Sequence, residues 1–378
     1  MNIAVLGAGM VGKTMALDLV KNYNVTSFDF STKNLSYLKS INSEIEIVET
    51  DLLQFQNYPR LLEKFNIVVI AVPGFMGYKT LETVIKCGKN IADISFFPEN
   101  PLDLCELAIH HNVTVITDVG VAPGMSNLIL GRYNELMQVN SFECYVGGLP
   151  KIRVKPFEYK APFSPIDVLE EYTRPARLQE NGFVITRPAL SETELMQFNG
   201  VGTLEAFNTD GLRSLLFTMG HIKNLKEKTL RYPGHVQLII ALKDAGFFEK
   251  KTININGTEI SPLEFTSKVL FKDWKLGEEE EELTVMKVII DGTENDVTKK
   301  VIYELLDEYD KTSKLSSMSR STGYTCTAAV NLLAKKMFTE KGVFPPELVG
   351  KHSNCFEFVL NYLFERNVIW KKSETTIN

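Results

Sequence analysis

The chain has 378 residues, 44% of them hydrophobic and 23% charged, with a formal net charge of −6. That length exceeds one ordinary core and points to two domains, while the acidic balance without a basic tract argues against nucleic acid or an anionic membrane surface as a main partner. No apolar run is long enough to span a bilayer, and the five scattered cysteines (Cys87, Cys105, Cys144, Cys326, Cys355) include no C-x-x-C pair, which argues against a disulfide framework or a structural zinc.

The chain opens on a β-run over 2–6, followed at once by Gly7-Ala8-Gly9-Met10-Val11-Gly12. This is G-x-G-x-x-G in the context it requires, with a buried strand before it and a helix after it. Gly7 permits the tight turn, Gly9 lets backbone N–H groups approach a pyrophosphate, and Gly12 lets helix and strand pack closely. The second β-run ends in Asp29, whose carboxylate suits the ribose hydroxyls of an adenosine and would repel a 2′-phosphate. NAD rather than NADP is therefore the expected cofactor. Gly7 to Thr14 also satisfies the phosphate-loop pattern of nucleotide hydrolases, in which Lys13 would reach phosphates and Thr14 would hold magnesium. That pattern leaves the Gly-x-Gly doublet and Asp29 without a role. A core strand at the start of the chain leaves no room for a signal peptide, and with the reduced cysteines this gives a cytoplasmic expectation.

Strands and helices then alternate. A helix is expected over 33–40, a strand over 45–49, a helix over 59–64 and a continuous β-branched strand over 67–72. Further on come a helix over 79–88, a strand over 90–95, a helix over 101–111 and a strand over 113–118. Six strands with helical crossovers make a Rossmann-type doubly wound parallel sheet the economical reading. Ligands bind at the carboxyl ends of such strands. This adds Asp51, Val72, Pro73, Asp93, Ile94 and Gly120 to the cofactor set, with Asn127 in the turn beyond, and puts Asp93 and Ser95 beside the nicotinamide. Asp51 and Asp93 can equally serve as helix caps.

Beyond Gly120 the texture changes to α+β. Strands are expected over 141–146, 183–187 and 252–255, with a long hairpin pairing 283–290 with 299–306. Helices are expected over 192–198, 209–219 and 234–245. The acidic block Glu278 to Glu282 reads as a solvated loop. Helical patterns over 322–337 and 356–364, and a short run over 368–370, are expected to return to the first domain. The division is 1–124 plus about 325–378 for the cofactor domain, with an inserted α+β domain over about 125–324.

Several blocks resemble a known family. They are Asp93-Ile94-Ser95-Phe96-Phe97-Pro98-Glu99, Gly120-Val121-Ala122-Pro123-Gly124-Met125-Ser126-Asn127 and Tyr145-Val146-Gly147-Gly148-Leu149-Pro150. The most specific runs from Glu158-Tyr159-Lys160 through Pro162-Phe163-Ser164 to Glu171-Tyr172-Thr173-Arg174-Pro175-Ala176-Arg177, and Thr229-Leu230-Arg231-Tyr232-Pro233-Gly234-His235 follows. Together they are similar to the saccharopine dehydrogenase family, with lysine 6-dehydrogenase as the nearest branch. The resemblance implies a nicotinamide domain completed by C-terminal segments, a catalytic and dimerisation insert, and a homodimer. It also implies oxidation of lysine at its ε-carbon to the semialdehyde. Saccharopine and carboxynorspermidine dehydrogenases, acting on secondary amines, are the alternative, kept open by Lys151, Arg153 and Lys155. A non-catalytic NAD-binding sensor is a third reading.

Such chemistry needs a neutral amine and a cationic anchor for a distal carboxylate. Arg231 and then Arg174 are the expected anchors, because a guanidinium pairs both carboxylate oxygens. Asp93 and His235 are the expected bases, with Lys160 a further candidate, and Tyr159 and Tyr172 are expected to line the pocket. Structural ion pairs for the arginines and a packed, hydrogen-bonded His235 stand against these assignments. No metal site is expected.

Overall fold

The six β-runs of the first third form one parallel sheet in the computed structural model, which describes residues 1–161, 165–277 and 279–377, and for 165–167 the backbone alone. The strands are β1 (Asn2–Leu6), β2 (Asn24–Asp29), β3 (Glu46–Glu49), β4 (Ile67–Ile70), β5 (Asn90–Asp93) and β6 (Thr114–Ile116), in the order β3-β2-β1-β4-β5-β6. Strand order reverses between β1 and β4, so the crevice at their carboxyl ends is the ligand-binding position of this topology. A seventh strand, Gly342–Phe344, arrives from far along the chain and extends the sheet beyond β6. β1 and β4 are buried almost end to end, as strands covered on both faces must be.

The second sheet is mixed. Its strands are β7 (Gln138–Pro150), β8 (Ala176–Glu180), β9 (Phe183–Arg187), β10 (Glu194–Phe198), β11 (Gly202–Asn208) and β12 (Asn224–Arg231), then the hairpin Glu282–Glu294/Val297–Glu308 and the final strand Trp370–Ile377. β7 and β12 pair in parallel at its centre. Gly147 permits their close approach, since a Cβ there would lie 2.7 Å from the Leu230 carbonyl oxygen. The hairpin turns at Asn295 and Asp296, both at positive φ, inside the expected span.

Two expected helices are not formed as such. The segment 192–198 holds the edge strand β10, paired antiparallel with β11, because the partner strand outweighs the local helical pattern. In 209–219 only Leu215–Thr218 is helical. Upstream of it, the Asp210 carboxylate accepts from the Arg177 backbone N–H (3.1 Å) and guanidinium (2.9 Å), and Arg213 sits at φ 46. The acidic block also divides. Glu278 lies outside the described residues and Glu279 and Glu280 are exposed, but Glu282 is fully buried. Its carboxyl accepts the Ser317 and Met318 backbone N–H groups at the start of helix Ser317–Ala334, where a negative group meets orphan donors.

The C-terminal segments divide between the sheets. Helix Ser317–Ala334 lies against the cofactor helix Met10–Leu19, with Gly323 facing Met15 and Thr14. The Asp18 carboxylate, with no exposed side-chain surface, accepts from the Thr327 and Tyr362 hydroxyls (2.7 Å each) and from Arg366 Nε (2.9 Å). Strand Trp370–Ile377 departs from the expected return and pairs instead with Val297–Glu308 in the second sheet. Among the described residues, no helix is long and apolar enough to cross a membrane.

Removing one partner of a buried ion pair leaves an uncompensated charge, so Arg366→Ala should cost about 3–5 kcal/mol. The expected readout is a lowered urea midpoint. An unchanged midpoint would show that the Asp18 cluster carries no stability.

Candidate active site

A cleft of about 720 Å³ runs from the glycine turn, across the carboxyl ends of the first sheet, to the β7–β12 face of the second. At the turn, Gly7 has φ 108, and a Cβ on it would lie 2.4 Å from the Ala71 carbonyl oxygen. A Cβ on Gly12 would lie 2.0 Å from the Gly7 carbonyl oxygen. Both positions exclude a side chain. Gly9 differs, since a Cβ there meets nothing within 4 Å and would project into the open cleft. The helix Met10–Leu19 begins at Gly9 with no side-chain cap and no acidic residue in its first turn. Its N–H groups and dipole thus face a cradle sized for phosphate, and the residues present fit a dinucleotide.

Gly7, Gly9, Met10, Val11, Gly12, Asp29, Asp51, Val72, Pro73, Ile94 and Gly120 all line this cleft. Asp51 accepts the Leu53 N–H (2.9 Å) within a turn, while the cap position of the next helix is Gln54, so the helix-cap reading is not what forms. The hydrolase pattern finds no support. Thr14 is buried, its hydroxyl donating to the Met10 carbonyl and bonded to Ser319 Oγ at 3.0 Å, and Lys13 lies over the Tyr37 ring. Phe30 and Phe75, both largely exposed, also line the cleft and were not anticipated.

At the cofactor end, four expected residues are not on the wall. The Ala8 N–H is committed to Asp29 Oδ2 at 2.6 Å. Asp93 is fully buried beneath the strand ends, accepting from the Ser95 N–H (2.9 Å) and the Thr117 hydroxyl (3.2 Å). Burial pushes its carboxyl up to about 7, yet it does not line the cleft. Ser95 is buried beside it. Asn127 faces away, bonded to Glu347 (3.0 Å) and Ser214 (3.4 Å) as a cross-link between segments.

On the substrate side, Glu227, Thr229 and Arg231 share one face of β12, as a period of two requires. Glu170, Glu171, Arg174, Thr209, Asp210 and Lys275 line the same part of the cleft, with Thr209 bonded to Glu227 and Glu171 to Arg231. Arg231 is almost fully buried and heavily engaged. It pairs with Glu171 at 2.7 Å, donates to the Tyr172 and Tyr159 hydroxyls at 3.1 and 3.4 Å, and donates to the Leu230 carbonyl at 2.9 Å. Arg174 is more open, pairing with Glu170 at 3.3 Å and lying over the Phe96 ring. Tyr159 and Tyr172 pack behind Arg231 rather than on the wall.

His235 lies behind them as well. The Phe157 carbonyl can only accept, so His235 Nδ1 carries a hydrogen (2.9 Å), and Nε2 accepts from the Tyr172 hydroxyl (2.9 Å). Burial, with the nearby Arg231 charge, pulls its pKa down to about 3. His235 is thus a neutral structural group away from the cleft, as the packing reading held. Lys160 pairs with Glu280 at 3.5 Å and is also off the wall. Lys151 and Arg153 are exposed and paired with Glu308 and Glu158, respectively. The Pro162-Phe163-Ser164 part of the most specific block lies outside the described residues.

Glu227 was missed by sequence reasoning. Its buried carboxyl accepts from Thr209 Oγ at 2.7 Å, and burial pushes it up to about 8. The available signal was the alternation Glu227-Lys228-Thr229-Leu230-Arg231, which reads as a strand with three polar groups on one face.

Residues 120–368 match the saccharopine dehydrogenase C-terminal domain, and residues 3–116 match the saccharopine dehydrogenase NADP binding domain. The chain is 23% identical over 335 residues to the saccharopine dehydrogenase [NADP(+), L-glutamate-forming] of Schizosaccharomyces pombe, covering 84% of this chain and 71% of that one. It is 22% identical over 278 residues to the mitochondrial alpha-aminoadipic semialdehyde synthase of Rattus norvegicus, covering 69% of this chain and 30% of that one. The matched region thus spans less than a third of that relative's length. Among solved structures, saccharopine dehydrogenase (L-Glu forming) from Saccharomyces cerevisiae shares the fold, with TM-score 0.81, 17% identity and 99% of each chain covered.

Two expectations are corrected by these findings. Preference for NAD is overturned by the NADP binding domain match and the NADP(+) relative. Asp29 accepts the Ala8 N–H on one carboxylate oxygen and the Ser31 N–H on the other, so it has a folding role that its place at the end of the strand already explains. The cytoplasmic expectation is overturned by the mitochondrial relative, and nothing in the composition bears on a mitochondrial address.

Because Arg231 closes an ion pair among packed rings, Arg231→Met should lower stability by about 3 kcal/mol, the low end for a buried pair since Glu171 keeps some contact with water. Chemical denaturation tests this. A change confined to the substrate KM, with stability intact, would make Arg231 a ligand-binding group instead.

Proposed function

Because the chain belongs to the saccharopine dehydrogenase family, an NAD(P)-dependent oxidoreductase family, we propose that it oxidises a secondary amine of the saccharopine type with NADP. The observation that carries this reading is the continuity of one cleft from the glycine turn to a wall where Arg174 and Lys275 stand beside the Glu171-paired Arg231. Saccharopine has three carboxylates, and a site for it needs several convergent cations. Lysine and carboxynorspermidine each carry fewer carboxylates than saccharopine and call for fewer cations than this wall offers.

Bound at the strand ends, the nicotinamide supplies a hydride acceptor. The protein's task is placement. Arg174 is the more accessible guanidinium and is suited to a carboxylate at the mouth of the cleft, since its present partner Glu170 is half-exposed and the pair is correspondingly weak. Arg231 holds Glu171 in place and sets the shape of the inner wall. Phe96 and Val146 close the apolar flank against which the carbon chain would lie. Loss of hydride from the carbon on the lysine side gives an imine, and hydrolysis of that imine yields glutamate and a semialdehyde.

The test is nicotinamide reduction followed by absorbance, with saccharopine or lysine offered together with NADP+ or NAD+. Reduction of NADP+ by saccharopine, with glutamate released, is the expected result. Reduction with lysine alone would move the assignment to the ε-amine branch, and no reduction with either would end the reading. Arg174→Ala should raise the KM for saccharopine about tenfold or more, as loss of a charge-assisted pair implies, with NADP+ affinity unchanged.

A further inference from the structure

We propose that Glu227 is the catalytic base of this cleft, taking the proton from the reacting ammonium with the Thr209 and Thr229 hydroxyls as its relay. The inference rests on the amine-oxidising function proposed above and names the group that serves it. A secondary amine is an ammonium near neutral pH. Before its neighbouring carbon can give up hydride, one N–H bond must break with its electron pair left on nitrogen. The proton then bonds to a Glu227 carboxylate oxygen, so ammonium and carboxylate become amine and carboxylic acid.

Geometry carries the assignment. Glu227, Thr209 and Thr229 all line the cleft. Thr209 Oγ lies 2.7 Å from Glu227 Oε2 and 2.9 Å from Thr229 Oγ. With Glu227 ionised, Thr229 donates to Thr209 and Thr209 donates to Glu227. With Glu227 protonated, both hydroxyls can turn and donate the other way. The chain is therefore reversible without movement of a heavy atom. Gly211 keeps room for the carboxyl, because a Cβ there would fall 2.3 Å from Oε2.

The surrounding charges leave Glu227 as the odd group. Arg231 on the same strand is held by Glu171, Arg177 holds Asp210, and Arg213 holds Asp118 at 2.9 Å. Cys144 of β7 is the remaining titratable neighbour, buried and neutral, since burial raises its thiol. Among the described residues, no lysine or arginine pairs with Glu227. Burial, with the Glu171 and Asp210 carboxylates, pushes it up to about 8. A cationic nitrogen entering the cleft supplies the counter-charge that the protein omits. The bases expected from the sequence, Asp93, His235 and Lys160, do not line the cleft.

The test compares wild type with Glu227→Gln, Glu227→Asp and Thr209→Val. In the NADP+-linked oxidation, Glu227→Gln should lower kcat roughly a hundredfold or more and abolish the acid limb of the kcat/KM profile, with Glu227→Asp partly restoring both. Thr209→Val should lower kcat and keep the limb. A structural role would predict loss of stability, whereas the expected change is the reverse. The folded carboxyl holds its proton up to about 8 and the unfolded one loses it near 4.5, so wild-type stability falls as pH rises through that window. Glu227→Gln should therefore melt at or above the wild-type temperature at pH 8. An acid limb and kcat retained in Glu227→Gln, while wild type oxidises saccharopine, would overturn this inference and leave the proposed function standing. If wild type oxidises no amine, the proposed function fails. The inference is then judged by calorimetry of saccharopine and lysine binding in buffers of different ionisation enthalpy, where proton exchange that Glu227→Gln does not remove, or none at all, overturns it.

Discussion

One carboxylate without water access holds the molecule's two ends together. Asp18 sits on the helix that begins at the glycine turn, and its partners Thr327, Tyr362 and Arg366 all come from the last sixty residues. A buried charge in this position is tolerable only while every donor stays in place. The segments that supply those donors lead directly into Trp370–Ile377, an edge strand of the other sheet. The cluster therefore fixes the phosphate-binding helix relative to the sheet that carries the substrate wall. The buried Arg213–Asp118 pair is a second tie between the two, at the cleft itself.

Within the cleft, most charges arrive already paired. Arg213 spans Asp118 and the Phe97 carbonyl, Arg177 grips Asp210, and Arg231 is closed by Glu171 among the rings of Tyr159, Tyr172 and Phe207. Each pair rigidifies a segment that would otherwise be loop, which is how an irregular stretch such as 209–213 comes to present a fixed wall. Pairing also removes these groups from easy use by a ligand. An anchor for substrate must be sought where the internal pair is weak and wet, as at Arg174. An acid–base group must be sought where the internal pair is missing, as at Glu227.

The glycine turn and the six parallel strands were legible because each rests on local chemistry, whereas their order across the sheet was not read. Gly7 and Gly12 meet backbone at distances no side chain allows, and β4 is apolar on both faces. The insert was less legible. Its strands owe their state to partners far away in sequence, so 192–198 reads as a helix alone and becomes β10 beside β11. The seventh strand, Gly342–Phe344, is three residues long and has no signal of its own. For the site, strand ends predicted most of the cofactor wall, but residue type misled on the bases. Asp93 and His235 looked chemical because they are ionisable, and burial has taken both out of reach of the cleft.

Asp29 shows why a motif residue does not carry its usual meaning unaided. A carboxylate at the end of β2 has two oxygens and, in this chain, two internal tasks. Oδ2 draws in the Ala8 N–H and so sets the pitch of the glycine turn, while Oδ1 accepts the Ser31 N–H where the chain leaves the strand. Both bonds run to backbone, so the acid is explained by folding before any ribose is considered. A phosphate on that ribose would be placed by cationic and N–H groups around it, and its exclusion would require a carboxylate free to face it. Selectivity between the two dinucleotides is thus a property of the whole rim formed by Phe30, Asn34, Leu52 and Leu53 around Asp29, and one acidic residue at the expected spacing was too little from which to read it.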